Sequence, residues 1–192
     1  MTWRLRQVPA SGAHVSPVRS ADRSADDLLI GVGGHCTYNP EPIADFVDFV
    51  VLGDGEEVVG EITAAVAAWK LGGKADRMEI LRTLAGITGV YVPRLYDAIF
   101  ADGMLVEIVP NDPAAPVTVE KRTIADLGEW PYPKAQLVPL TEVVHDRLNV
   151  EVFRGCTRGC RFCQAGMITR PVRERSIETI GDMVENLSLI HI

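Results

Sequence analysis

Cys156-Thr-Arg-Gly-Cys160-Arg-Phe-Cys163 decides how the rest of the chain is read. Three of the four cysteines fall within these eight residues, and the fourth, Cys36, has no neighbour in sequence. Disulfides suit the group poorly, because it is odd in number, tightly spaced and not preceded by a secretion signal. A structural zinc site commonly takes four ligands in two paired knuckles. Here the nearest fourth candidate, His145, lies eleven residues upstream, and no second pair follows. Three thiolates on one short loop suit a cubane iron–sulfur cluster in which one iron lacks a cysteine. A four-cysteine cluster would have to recruit the distant Cys36. On spacing and count alone, zinc and incidental thiols stay open as alternatives.

The flanks favour a built site. Val150-Glu151-Val152-Phe153 alternates like a strand and runs into Arg154-Gly155, so the loop leaves a strand end. Gly155, Gly159 and Gly166 allow the backbone to wrap closely around a bulky group. Residues 147–175 hold seven arginines and two acids, a local charge of +5 that leaves −12 for the remainder. Arginines there would offset an anionic cluster or a carboxylate-bearing cofactor, or would form a solvated basic surface.

Composition supplies the outer bounds. The 192 residues are 47% hydrophobic and 23% charged, values of a packed globular protein and not of a disordered one. The formal charge of −7 gives no global sign of a phosphate-backbone binder. No apolar run approaches the roughly 18–20 residues of a membrane span, and no signal peptide opens the chain, so a cytoplasmic protein without membrane attachment is expected.

The cysteine stretch resembles the cluster loop of the radical S-adenosylmethionine (radical SAM) superfamily, down to the aromatic Phe162 before the last cysteine. The longer run from Phe153 to Ser176 is similar to one bacterial branch whose members carry a cobalamin-binding-like domain ahead of the radical SAM barrel. Gly33-Gly34-His35-Cys36-Thr-Tyr-Asn-Pro-Glu-Pro42 and Val51-Leu-Gly-Asp-Gly-Glu56 resemble the end of that domain, so the likeness spans residues 17–186. It implies that Cys156, Cys160 and Cys163 each bind one iron of a [4Fe-4S] cluster. S-adenosylmethionine would chelate the fourth iron and be cleaved reductively to a 5′-deoxyadenosyl radical that abstracts hydrogen from a substrate. Phe162 would pack near the adenine. Arg173 and Arg175 would orient the cofactor's carboxylate, or else lie on the surface. A reductant such as flavodoxin or ferredoxin is implied, with the substrate open between RNA, protein and other classes. Methylthio transfer would call for a second cluster, and the cysteines suffice for one. No Asp-x-His-x-x-Gly occurs, so cobalamin stays an unsupported option, with His35 on a suitable loop but at the wrong spacing. The different-class alternative is a small electron-transfer or zinc-stabilised module without SAM chemistry.

The expected architecture is α/β. Residues 1–25 read as irregular, and 26–73 as a partial Rossmann-like, cobalamin-binding-like domain. Within it, Leu28–Val32 and Phe49–Leu52 read as strands, and Glu56–Lys70 as an amphipathic helix stopped by Gly72-Gly73. Residues 74–146 read as a connector. It holds a helix over Arg77–Ala85, a hairpin turning at Asp102-Gly103, and a stiff proline-rich stretch from Pro110 to Pro139. Trp130-Pro131-Tyr132-Pro133 packs on a domain face or serves as a recognition surface. Residues 147–192 would open a radical SAM TIM-like barrel with its first βα unit, Ser176 capping a helix from Ile177 to about Leu187. The later βα units have no counterpart, and Leu187-Ser-Leu-Ile-His-Ile192 resembles adapter read-through. The expectation is a fragment incomplete at both ends and inactive alone.

Overall fold

The computed structural model describes residues 16–132, 141–142 and 149–188. The expectations for residues 1–15, for Pro133 and Pro139, for His145 and for the last four residues lie outside these. The chain separates into two compact units, Met1–Thr123 and Ile124–Ile192. Both mix helices and strands.

The first unit is built on a three-stranded sheet. Strand β1 (Gly31–Val32) runs parallel to β2 (Phe49–Val51), and two 3₁₀ turns, His35–Tyr38 and Glu41–Phe46, connect them. Helices α1 (Val58–Leu71) and α2 (Arg77–Ala85) follow, and β3 (Val90–Tyr91) then pairs with β2 antiparallel. The expected Rossmann-like sheet would be parallel throughout. Here the two-helix excursion returns the chain against β2, which reverses the third strand. The β2 side chains alternate between two cores, as a two-residue period demands. Phe49 and Val51 face the cluster formed by Val58 and Trp69 of α1, Ile80, Leu81, Leu84 and Ala85 of α2, and Leu95. Val50 faces the opposite cluster with Val47 and Tyr91. Thus α2 and α1 share one core.

Helix α2 begins where a cap and a period coincide. The Asp76 side chain accepts from the Met78 N–H at 2.9 Å, which satisfies one of the orphan donors of the first turn. Gly86 follows the last residue. Strands β4 (Tyr96–Ala101) and β5 (Met104–Pro110) form the expected hairpin, with positive φ at Asp102 (52°) and Gly103 (77°), as a tight primed turn requires.

The proline-rich stretch is more than a connector. Arg122 lies beside Gly53 in a parallel bridge, its N–H donating to Leu52 O at 2.8 Å and its carbonyl accepting from Asp54 N at 2.9 Å. The Arg122 guanidinium reaches Glu57 and Glu61 on α1 and its entry. Ala115 is buried, and Pro116 O accepts from the Tyr96 hydroxyl at 2.7 Å. Proline density in the sequence hid the backbone donors between the prolines.

A charged hub is buried in the first unit. Asp48 is fully buried and accepts from Ser20 Oγ (2.6 Å), Arg23 Nη1 (2.9 Å), Ile30 N (2.8 Å) and Arg77 Nη2 (2.9 Å). Arg77 also donates to the carbonyls of Ser24, Asp27 and Leu28, which fixes a stretch that has no regular structure of its own.

In the second unit, β6 (Phe153–Arg154) pairs antiparallel with β7 (Arg173–Glu174). Between them lies the short helix α3 (Ala165–Ile168), and after them α4 (Ile177–Ser188). Ser176 caps α4 as expected, its Oγ accepting from Thr179 N at 3.1 Å. The strand predicted over 150–153 is shorter and displaced, because its partner β7 offers only two residues. A barrel's first strand would pair in parallel, whereas the ladder that β6 makes is antiparallel. Ile124, Leu127 and Met183 are buried. Among the described residues no helix is long and apolar enough to cross a membrane.

Candidate metal centre

The β6–β7 ladder sets the base of the cysteine loop. Phe153 stands opposite Glu174 and Arg154 opposite Arg173, while Arg175 N donates to Val152 O at 2.9 Å. The chain then turns at Gly155, whose φ of +90° lies in the region that side chains avoid. A Cβ there would also stand 2.5 Å from Pro171 O and 2.9 Å from Thr169 O. Gly155 is therefore required twice, by conformation and by space, and it delivers Cys156 directly off the ladder.

The loop curls back through a turn in which Cys163 N donates to Cys160 O at 3.1 Å. It closes at α3, where buried Gly166 faces two of the three cysteines. A Cβ on Gly166 would lie 3.5 Å from Cys163 Sγ and 3.6 Å from Cys156 Cβ. Both sulfurs already receive backbone donors: Arg158 N–H points to Cys156 Sγ (3.4 Å) and Gly166 N–H to Cys163 Sγ (3.3 Å). Amides aimed at sulfur are the groups that stabilise thiolate ligands and tune them.

Cys160 stands apart. It is exposed, as are Arg158, Gly159 and Arg161 around it. Among the described residues no three His, Cys, Asp or Glu side chains stand close enough to hold a metal ion. The structure thus brings together Cys156 and Cys163, with Cys160 on the open side of the same loop. The donor set fits a cubane cluster: three thiols, two amides already directed at sulfur, and space left by the side-chain-free Gly166 and Gly159.

Phe162 is 92% exposed and touches no core. Arg173 and Arg175, by contrast, are buried. Arg173 donates to the carbonyls of Ile124 (2.8 Å), Pro171 (3.2 Å) and Thr169 (3.3 Å). Arg175 donates to Leu127 O (2.5 Å), Trp130 O (3.4 Å) and Glu151 Oε2 (2.7 Å). Of the two roles the sequence left open for them, the surface one does not hold. These bonds, to main-chain carbonyls and one carboxylate, tie residues 124–130 to the floor of the loop. Trp130 is part of this tie through its carbonyl. Glu151 also accepts from Arg154 Nε at 2.7 Å. Burial pushes its carboxyl upward, but the hydrogen bonds and charges of Arg154 and Arg175 outweigh that and hold it below the ordinary carboxylate range.

Arg170 is the residue that sequence reasoning passed over. It donates from Nε to Cys156 O (3.1 Å) and from Nη2 to Arg158 O (3.2 Å). Backbone carbonyls leave no trace in a sequence pattern, so only its place among seven arginines singled it out. His35 and Cys36, on the 3₁₀ turn after β1, are both exposed, and Cys36 is a free thiol.

Residues 13–93 match the family model described as radical SAM proteins, N-terminal. The matched stretch runs through β1, β2, α1, α2 and β3 and does not reach the cysteine loop. It supports the radical SAM superfamily from a part of the chain independent of the cysteines. No curated protein and no solved structure matches the chain.

Proposed function

We propose that this chain carries the cluster-binding loop of a radical SAM enzyme, with Cys156, Cys160 and Cys163 as the protein ligands of a [4Fe-4S] cluster. The observation that carries the reading is the convergence of two separate stretches. The front of the first unit matches the N-terminal model of radical SAM proteins, and the second unit bears three thiols at CxxxCxxC spacing. When bound, such a cluster supplies an electron for the reductive cleavage of S-adenosylmethionine, taken in turn from a low-potential donor such as flavodoxin or ferredoxin.

The chain's own contribution is ligation and placement. Gly155 sets the direction in which Cys156 leaves the ladder, and the amides of Arg158 and Gly166 donate toward the sulfurs. The exposed Phe162 offers an aromatic face beside the loop for the adenine of the cosubstrate. Arg173 and Arg175 act on this site by holding its floor. In this reading the first unit is the front domain of the enzyme, and cobalamin stays an option that the sequence, lacking Asp-x-His-x-x-Gly, does not support.

The test is anaerobic reconstitution with iron and sulfide, followed by metal and labile-sulfide analysis. Equal iron and sulfide are expected in the wild-type protein, lost in C156A, C160A and C163A and retained in C36A. Zinc without sulfide, or loss in C36A as well, would show a different metal module.

A further inference from the structure

The geometry points to Arg170 as the residue that orients the ligand loop for its cluster, an inference that rests on the cluster reading above. One guanidinium spans Cys156 O and Arg158 O, at 3.1 and 3.2 Å. Holding these two carbonyls on the Arg170 side turns the N–H groups of the same two peptides, those of Thr157 and Gly159, the other way. Between them, the Arg158 N–H faces Cys156 Sγ. Carbonyl oxygens facing an anionic cluster would repel it, whereas amides facing it stabilise charge on the thiolates. A planar fork suits this task, since its donors reach two acceptors with little loss of rotamer freedom, and a lysine has no equivalent geometry.

Arg170 is itself braced. Arg173 binds the carbonyls of Thr169 and Pro171, the residues on either side of it, and anchors them to Ile124 O. The same two carbonyls form the wall against which Gly155 packs. One short segment, 169–173, therefore fixes both where the loop begins and which way its first peptides face. Arg161 lies in the same loop with the same charge, but it is exposed and has no side-chain partner among the described residues. It is the natural control.

The experiment compares reconstituted wild type, R170A, R170K and R161A. Iron loss to a ferrous chelator should be about tenfold faster in R170A, the scale seen when groups that orient metal ligands are removed. R170K should behave like R170A, because it keeps the charge and loses the fork, while R161A should match wild type. The EPR line shape of the reduced protein should change in R170A and R170K and not in R161A. In the cluster-free proteins, trypsin should cut after Arg158 faster, relative to the cut after Arg161, in R170K than in wild type. Wild-type iron retention in R170A and R170K, or equal damage in R161A, would overturn the assignment. If wild type takes up no iron and sulfide while the Arg158 cut still accelerates, the cluster reading itself has failed. Arg170 is then a brace of the fold alone.

Discussion

Gly155 carries a conformational demand that no other residue type meets without strain. Replacing it with Ala places a Cβ against two backbone carbonyls at a φ of +90°. The conformational strain alone is worth about 1–3 kcal/mol, before the backbone moves to relieve the overlap. Chemical denaturation of G155A should show at least that loss. Gly159 makes the contrast, because nothing lies within 4 Å of the position a Cβ would take. G159A should stay within about 0.5 kcal/mol of wild type, as an exposed substitution without special geometry does. Both glycines stood out in the sequence as positions that let the backbone wrap closely around a bulky group. Which of them the fold cannot spare depends on Thr169 and Pro171, far along the chain, and was not legible.

The ladder of β6 and β7 is two residues long, too short to persist on its own backbone bonds. Its support comes from the side chains of Glu151, Arg154 and Arg175. Glu151 is held ionised below its ordinary range, so its contribution is present above the unfolded carboxylate pKa and is lost as pH falls through the depressed folded value. Acid titration should therefore weaken the wild-type second unit below about pH 4, while E151Q starts weaker and shows a flatter acid limb. Circular dichroism on both proteins from neutral pH downward measures the difference. At this scale the sequence was uneven. Helix α2 was legible to the residue, because the apolar period and Gly86 agree, and so was the hairpin at Asp102-Gly103. The strands were overdrawn, since alternation marks where a strand can form and the partner decides how much of it does. The three-cysteine motif stood out by its spacing. The partners of the arginines around it were not legible, because most are backbone oxygens.

The two units place different demands on the whole molecule. The first is stabilised by an apolar core and by the Asp48 hub, which gathers residues from Ser20 to Arg77. Two arginines against one aspartate leave the hub dependent on that carboxylate. D48N should cost about 3–5 kcal/mol, the usual penalty when one partner of a buried charge pair is removed. Hydrogen exchange should then accelerate at amides of β2 and α2 and leave those of Cys163 and Arg175 unchanged. A spread of the effect into the second unit would show that the two do not open separately. The hub had a faint sequence signal, a lone Asp inside the apolar run Phe46-Val-Asp-Phe-Val50. Arg23, in a stretch read as irregular, gave none.

Burial of the hub also makes a clock of it. Trypsin needs an arginine it can seat in its pocket, and Arg23 and Arg77 are buried on Asp48, while Arg158 and Arg161 are exposed. The peptide bonds after the first pair can be cut only when the first unit opens, those after the second pair while it is still folded. A single digest, sampled over time and read by mass, therefore records two events on one chain: access to the cysteine loop and the lifetime of the fold ahead of it.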